Sequence, residues 1–452
     1  MTPAWRLRSV APGVVWPAIP SPPAAHLLAL NFQLLHSQWL PAEELAALQL
    51  KQLRQTLTYA RRQVPTYADR LPSAVAAADF DWATFRRLPI LTRVQAQQEG
   101  ERLWARQTPA DHGALGSGQT SGSTARPLTH HHTELEMLWR RAITLRDHLW
   151  HGRDLSWRFA TIRAKTKSQD YPSWGGGTGV VAFTGPAAVL SMTEDVDTQF
   201  NWLMAQDPDI LHTHPTNLNA LLQLAERRGL QPSRLKCVST FSETLPAELR
   251  QRLRRVWGLE LSDIYSADEC GPIALQCPEN EHYHVQAEHV LVEVVDEAGQ
   301  PCPVGVPGRV VITTLHNFAM PLIRYEIGDY AELGPPCACG RGLPVLTRIL
   351  GRSRNIMRRP DGKSIWPTMP GTLWLAVAPI EQFQVIQVAL DSIEVRYAMA
   401  RPLEEFEREE LERLLCERWG YRFRFAWRRV ENIPRDAGGK FEDFICRLPA
   451  DS

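Results

Sequence analysis

The chain has 452 residues, in which 50 Lys and Arg balance 50 Asp and Glu, and 44% of residues are hydrophobic. A chain of that length buries a large core and divides into more than one domain, and a formal net charge of zero excludes the basic field that draws nucleic acid or anionic lipid. Eight cysteines at this length do not form a disulfide scaffold, so a small-molecule enzyme in a reducing cytoplasm is the expectation.

Two stretches without Asp, Glu, Lys or Arg, residues 9–42 and 171–193, are long enough to cross a bilayer. The first is broken by Pro12, Pro17, Pro20, Pro22 and Pro23, the second by Gly175, Gly176, Gly177, Gly179 and Pro186, so neither reads as a membrane span. Arg6 and Arg8 are not followed by a continuous apolar core, which argues against a secretion signal. From Leu45 to Val64, apolar residues recur at helical spacing through Leu50, Leu53, Leu57 and Ala60, and Pro65 stops the helix. Leu88-Pro89-Ile90-Leu91-Thr92 reads as an extended connection into a helix capped by Thr92, with no function required of it.

Thr120-Ser121-Gly122-Ser123-Thr124-Ala125-Arg126-Pro127 is the most informative stretch. Backbone N–H groups around Gly122 can face phosphate oxygens with no Cβ in the way, the hydroxyls add donors, and Arg126 can pair bidentately with an oxyanion. A helix over residues 133–150 with Thr133 as N-cap would set this turn shortly before a helix N-terminus. His130-His131-His132 lacks a second cluster and reads as solvated loop rather than a metal tract.

Between about 157 and 260 short β-type runs alternate with helices: strand 210–213 before helix 218–228, strand 237–241 before helix 246–256, then a strand leading to Tyr265. The pattern implies an α/β sheet with ligands at the C-terminal ends of its strands. From 284 to 315 it turns strand-rich, with runs 290–295 and 310–314. After Gly351-Arg352-Ser353-Arg354 come strands 383–390 and 392–398, helix 403–419 and strand 421–430, a small α+β domain. The expected organisation is α/β overall: a large N-terminal domain with mixed sheets over 1–350, including a β subdomain at about 271–345, a hinge at 351–354 and a small mobile α+β C-terminal lid over 355–452. No tandem repeat is present.

Further pieces follow the phosphate turn in order: Phe241-Ser242-Glu243-Thr244, Asp263-Ile264-Tyr265-Ser266-Ala267-Asp268-Glu269, Arg324-Tyr325-Glu326-Ile327-Gly328-Asp329, Gly351-Arg352-Ser353-Arg354 and Pro434-Arg435-Asp436-Ala437-Gly438-Gly439-Lys440. This series resembles the acyl-adenylate-forming ligases, most closely the phenylacetate-CoA ligase family with its capsule-biosynthesis-like branch. Val64-Pro65-Thr66-Tyr67, the Leu88–Thr92 run and Ala319-Met320-Pro321-Leu322-Ile323 look like the same family, so the resemblance spans nearly the whole chain.

The resemblance implies ATP-dependent activation of an aryl or related carboxylic acid as acyl-AMP, then transfer to a thiol, with CoA as the expected acceptor. A carrier-protein thiol or an amine is the alternative acceptor, and a non-catalytic nucleotide-binding protein is the alternative of another class. It implies that Thr120, Ser121, Gly122, Ser123, Thr124 and Arg126 hold the β- and γ-phosphates, that Glu269 ligates Mg2+, and that Asp329 receives the ribose hydroxyls. Tyr265 would stack on adenine, with Ser242, Glu243, Thr244, Asp263, Ile264 and Ser266 around it, and Arg352 would reach ribose or phosphate. Lys440 would neutralise charge between the acid carboxylate and the α-phosphate. The family's architecture places the acid near Trp174, Gly176, His214 and Phe241, where aromatic walls suit a flat molecule. Family members are often dimers, so a homodimer is an expected assembly. The chain departs from the family in Ala125-Arg126-Pro127 where Gly-Lys-Pro is usual, in Ser266 where Gly follows the tyrosine, and in Asp268 where Ser or Thr precedes the glutamate.

Cys277, His284, Cys337 and Cys339 offer three thiolates and one imidazole for a closed, structural Zn2+ site, a pairing the resemblance supports; His282 and Cys270 are alternative ligands. Cys237, Cys302, Cys416 and Cys446 read as packing residues.

Overall fold

The computed structural model describes residues 6–120, 128–164, 166–352, 356–365, 367, 369, 371–433 and 443–448. The chain separates into two compact units, one formed by Met1–Leu245 and Leu249–Ile349, the other by Pro246–Glu248 and Leu350–Ser452.

The first unit begins with helices α1 (Pro22–Ser37), α2 (Ala42–Gln63), α3 (Pro65–Arg70), α4 (Trp82–Arg86) and α5 (Arg93–Glu99). Helix α1 occupies part of the stretch the prolines had broken: Pro22 sits in its first turn, where the missing N–H costs nothing. Pro65 ends α2 as expected but also opens α3 at once, for the same reason. No helix among the described residues is long and apolar enough to cross a membrane.

A hairpin of β1 (Leu115–Gln119) and β2 (Thr129–Thr133) comes next, then α6 (Glu134–Trp150). Thr133 caps α6 by accepting from the Glu136 N–H at 3.4 Å. The hairpin corrects one expectation: the three histidines form a strand instead of a solvated loop, with His130 buried. The phosphate-type segment connects β1 to β2 and so precedes α6 by one short strand. Gly116 and Gly118 stand opposite His132 and His130 in the ladder, and a Cβ at Gly118 would come within 2.7 Å of the His130 ring.

The main sheet then builds from β3 (Phe159–Arg163), β4 (Gln169–Tyr171), α7 (Gly176–Val181), β5 (Ala187–Ser191), α8 (Val196–Gln206), β6 (Ile210–Thr213), α9 (Pro215–Arg228), β7 (Cys237–Phe241), α10 (Ala247–Trp257) and β8 (Leu261–Ala267). It continues through β9 (Gly271–Gln276), β10 (Tyr283–Val285), β11 (Val290–Val295), β12 (Pro307–Thr314), β13 (Tyr325–Leu333) and β14 (Val345–Arg352). The twelve strands run in the order β11-β12-β13-β14-β10-β9-β8-β7-β6-β3-β5-β4. Strands β5, β3, β6, β7 and β8 are parallel, and β9 turns back antiparallel to β8. Helices α8, α9 and α10 cover one face, packing Phe200, Leu221 and Leu253 on Ile162, Leu211 and Val238, while α1, α6 and α7 cover the other. The parallel strands therefore end together, at Arg163, Ser191, Thr213, Phe241 and Ala267, on one edge of a sheet covered on both faces.

Arg324 ties the amino-terminal helices to the β-rich part of the sheet. Its φ is +45°, and its buried guanidinium pairs with Glu293 at 3.0 and 3.1 Å and donates to the carbonyls of Arg86 and Leu88 at 2.5 Å each. Removing one partner of a pair buried this deeply costs about 3–5 kcal/mol, because the other charge is left without its counter-ion.

The second unit contains a short pair, β15 (Met357–Arg358) and β16 (Ser364–Ile365), helix α11 (Gly371–Val377), strands β17 (Gln382–Ala389) and β18 (Ser392–Ala398), helix α12 (Glu405–Trp419), and strands β19 (Arg424–Arg429) and β20 (Phe444–Cys446). Its sheet runs β19-β18-β17-β20. Trp374, Leu411, Leu415 and Trp419 from the helices bury against Val385 and Val395 of the sheet.

Candidate active site

Strand alternation sorts the side chains at the parallel edge. Ser239 pairs with Ser262 and Thr240 with Asp263, so Asp263 and Tyr265 share one face while Phe241 lies on the other. Immediately after β7, Ser242 takes φ +73°, a left-handed conformation unusual for a residue with a Cβ, and this turns the chain sharply out of the sheet.

Glu269 follows β8 and is buried. Its Oε1 accepts from Arg93 Nη1 and from the Tyr325 hydroxyl, both at 3.2 Å. Arg140 of α6 holds the backbone behind it, donating to the carbonyls of Asp268 at 3.1 Å and Glu269 at 3.4 Å while anchored on Glu136. The Asp268 side chain is exposed. Thr120 closes the stem of the phosphate-type turn: its N–H donates to the Leu128 carbonyl at 3.0 Å, and its hydroxyl accepts from the Leu128 N–H at 2.9 Å and from Arg93 Nη2 at 3.0 Å. Ser121, Gly122, Ser123, Thr124 and Arg126 lie outside the described residues, as does Lys440.

Arg93 is the residue that sequence reasoning passed over. The segment before it, expected to be a plain connection, forms a parallel bridge from Leu91 to Tyr325, with the Leu91 N–H on the Arg324 carbonyl at 2.8 Å and the Glu326 N–H on the Leu91 carbonyl at 2.9 Å. That pairing joins residues more than 200 positions apart, and no local pattern announces it.

Tyr265 and Asp329 meet directly, the Tyr265 hydroxyl donating to the Asp329 carboxylate at 2.8 Å. Asp329 and Tyr325 alternate onto the buried face of β13, so this strand contributes both to the Glu269 group and to the Tyr265 pair. Ile264 and Ser266 flank Tyr265 and are half-buried, and Thr244 is exposed. Arg352 is the last residue of β14 and belongs to the second unit.

Two carboxylates expected beside adenine serve bonds inside the protein. Glu243 accepts from the Thr216 N–H at 3.0 Å and hydroxyl at 2.8 Å, at the first turn of α9, where backbone donors lack helical partners. Asp263 accepts from Thr240 at 2.5 Å and Tyr283 at 2.8 Å between β7 and β10. Burial pushes the Asp263 carboxyl up to about 6, against the pull of those two hydroxyls.

The residues expected around the acid form a chain of rings. His212 stacks on Phe241 with centroids 4.2 Å apart and planes 9° apart, and the His214 ring lies 4.6 Å from Phe241 at a tilt of 42°. Phe159 bridges His212 at 5.9 Å to Trp174 at 5.2 Å. The Trp174 indole is fixed by its N–H on the Trp157 carbonyl at 2.8 Å, and Gly176, at φ +52°, opens α7. Burial, with Arg153 nearby, pushes the His212 imidazole down to about 3, so this ring is neutral at pH 7.

Away from this edge, Cys277, His284, Cys337 and Cys339 bring their donor atoms within 4.8 Å of one another. The Sγ atoms of Cys277 and Cys337 are 3.9 Å apart, close to the roughly 3.8 Å edge of a tetrahedron with metal–sulfur bonds of about 2.3 Å. Cys339 Sγ is 3.4 Å from His284 Nε2. His282 stands outside the four, with Nε2 2.9 Å from Cys337 Sγ, and Cys270 is packed in the core of the first unit.

A family model described as AMP-binding enzyme matches residues 119–320. The chain is 27% identical over 389 residues to the phenylacetate-coenzyme A ligase of Thermus thermophilus, covering 80% of this chain and 83% of that one. It is 26% identical over 337 residues to the Escherichia coli protein of the same name, covering 70% and 72%. A structure of 2-hydroxyisobutyryl-CoA ligase in the postadenylation state superposes with a TM-score of 0.71 at 19% identity, covering 91% of each chain, and shares the fold.

Asp263 generates a test of the buried network. Its carboxyl titrates near 3.8 when unfolded and about 6 when folded, so its contribution to stability is complete below about 3.8 and falls as pH rises through about 6. Thermal melts should show the Tm of Asp263→Asn gaining on the unaltered protein between about pH 4 and pH 7 and holding that gain above. A Tm difference independent of pH would contradict the assignment.

Proposed function

We propose that this chain, which belongs to the AMP-binding, acyl-adenylate-forming enzymes, activates an aryl or arylacetic acid with ATP and passes the acyl group to the thiol of CoA. The observation that carries the reading is the convergence on one sheet edge of the phosphate-turn stem at Thr120, the buried carboxylate Glu269, and the Tyr265–Asp329 pair.

In the first half-reaction a carboxylate oxygen of the acid attacks the α-phosphorus of ATP, the bond to the bridging oxygen breaks, and pyrophosphate leaves with that electron pair. In the second, the CoA thiol loses its proton as sulfur attacks the acyl carbonyl, and AMP leaves. Little covalent work falls to the protein, so positioning and charge neutralisation supply the rate. Thr120, Ser121, Gly122, Ser123, Thr124 and Arg126 would bind the β- and γ-phosphates. Asp329, oriented by the Tyr265 hydroxyl, would accept from the ribose hydroxyls. Ser242 would turn the chain toward adenine, Arg352 would bind ribose or phosphate, and Lys440 would neutralise the approach of carboxylate to phosphate.

Glu269 fits a Mg2+ site: a buried carboxylate of a hard oxygen donor beside the phosphate turn, matching an ion that takes one or two carboxylates and the rest of its ligands from phosphate and water. Bound there, Mg2+ would supply charge neutralisation on the phosphates. The ring series Trp174, Phe159, His212, Phe241 and His214 favours a flat aryl acid, since aromatic faces stack on it and the His212 ring at its centre carries no charge to desolvate. The Cys277, His284, Cys337 and Cys339 group would hold Zn2+ in a closed site that braces the β9–β10 and β14 end of the sheet.

Acid-dependent ATP–pyrophosphate exchange should appear with aryl or arylacetic acids and not with long fatty acids, and Lys440→Ala should lower it at least about 100-fold while ATP still binds. ATP binding without exchange across a broad acid panel would defeat the enzymatic reading. Mass spectrometry of the products separates a CoA thioester from a carrier-bound thioester or an amide. For the thiolate cluster, purified protein should carry about one zinc per chain, lost together with thermal stability in Cys337→Ser/Cys339→Ser; folded protein free of metal would dismiss the site.

A further inference from the structure

Arg93 is set by a construction that reaches across the whole first unit. Leu91 pairs with the first residue of β13 by its bridge to Tyr325, Thr92 caps α5 through a reciprocal pair of bonds with Gln95, and Arg93 follows as the first residue of that helix. Its guanidinium then reaches three other parts of the chain: Glu269 at 3.2 Å, the Tyr325 hydroxyl at 3.3 Å and the Thr120 hydroxyl at 3.0 Å. The pair is largely shielded, with 18% of the Arg93 side chain and 4% of the Glu269 side chain accessible.

The distances are long for a charge-assisted pair, which closes to about 2.7–2.9 Å when the two groups are locked together. Arg93 neutralises Glu269 without a bidentate clamp on it, and one edge of its fork, Nη2, points at the first residue of the phosphate-type turn. A purely structural counter-ion for Glu269 needs no contact with that turn. Conversely, a polyphosphate held there would bring several negative charges next to a buried carboxylate, and the cation already between them is Arg93.

We propose that Arg93 is a second polyphosphate-binding guanidinium, which balances Glu269 in the nucleotide-free enzyme and turns its fork to phosphate oxygens when ATP enters. The proposal rests on the reading of the Thr120 turn as the polyphosphate site. It adds to Arg126 a guanidinium from a distant segment, on the side where Thr120 and Glu269 meet. Because a planar fork binds two oxygens at once, lysine cannot fully replace it.

Calorimetric titration of ATP, pyrophosphate and AMP into the full-length protein, with and without Mg2+, tests it. Arg93→Ala should weaken ATP and pyrophosphate about 10- to 100-fold, the loss of one or two charged hydrogen bonds, and leave AMP within about twofold. Arg93→Lys should fall between. Equal weakening of ATP and AMP, or unchanged ATP affinity, would overturn the proposal and leave Arg93 as a brace for Glu269. If Arg93→Ala does not fold, Arg93→Lys decides by the same comparison: ATP weakened with AMP spared supports the role, and no difference between the two overturns it. An unaltered protein that binds neither ATP nor AMP would instead defeat the broader reading of the site.

Discussion

A buried carboxylate requires a counter-charge, and the satisfaction of Glu269 organises the edge of the sheet on which the parallel strands end. Arg93 reaches it from the amino-terminal helices, Tyr325 from β13, and Arg140 of α6 fixes its backbone. An isolated carboxylate at that depth would take up a proton or destabilise the fold by several kcal/mol. The same three contacts therefore join distant parts of the chain and hold an oxygen donor where a nucleotide's metal ion would need one. Arg324, next to Tyr325, does similar work further from the edge by binding Glu293 and the carbonyls of Arg86 and Leu88, so the segment that delivers Arg93 is held at both ends.

The parallel strands supply the rest of the geometry. Since β5, β3, β6, β7 and β8 end on one edge, loops far apart in sequence emerge side by side, and the alternation of each strand assigns their side chains to opposite faces. One face carries the ring series from Trp174 to His214, the other Asp263 and Tyr265. The end of β7 is thus shared by two walls, one of rings and one carrying Asp263 and Tyr265. The departures from the family pattern fit this frame: the Asp268 side chain, just before Glu269, is exposed and places no second carboxylate in the buried group, while a guanidinium from outside the phosphate-type turn touches its stem.

Much of the fold was legible because local signals were strong. The apolar run Cys237–Phe241 and the strand Ser392–Ala398 form where they were read, and Thr133 caps α6. Helix α1 was hidden by the prolines before it, which mark its start instead of forbidding it. The β1–β2 hairpin was hidden because its inward positions are glycine and histidine, so no apolar alternation reports it. The ordered motifs named Glu269, Tyr265 and Asp329, but not the internal bonds that occupy Glu243 and Asp263, since those depend on Thr216, Thr240 and Tyr283 arriving from other elements. Arg93 could not be found from sequence spacing at all: its position follows from a single bridge between Leu91 and Tyr325.

The central claim is that the edge holding Thr120, Glu269 and Asp329 forms an acyl-adenylate. Rapid chemical quench followed by mass spectrometry, with ATP, Mg2+ and an arylacetic acid but no CoA, tests it most directly. The account predicts enzyme-bound acyl-AMP in about stoichiometric amount with matching pyrophosphate, and its conversion to acyl-CoA and AMP when CoA is added. Release of ADP and phosphate, with no acyl-AMP at any time, would contradict it.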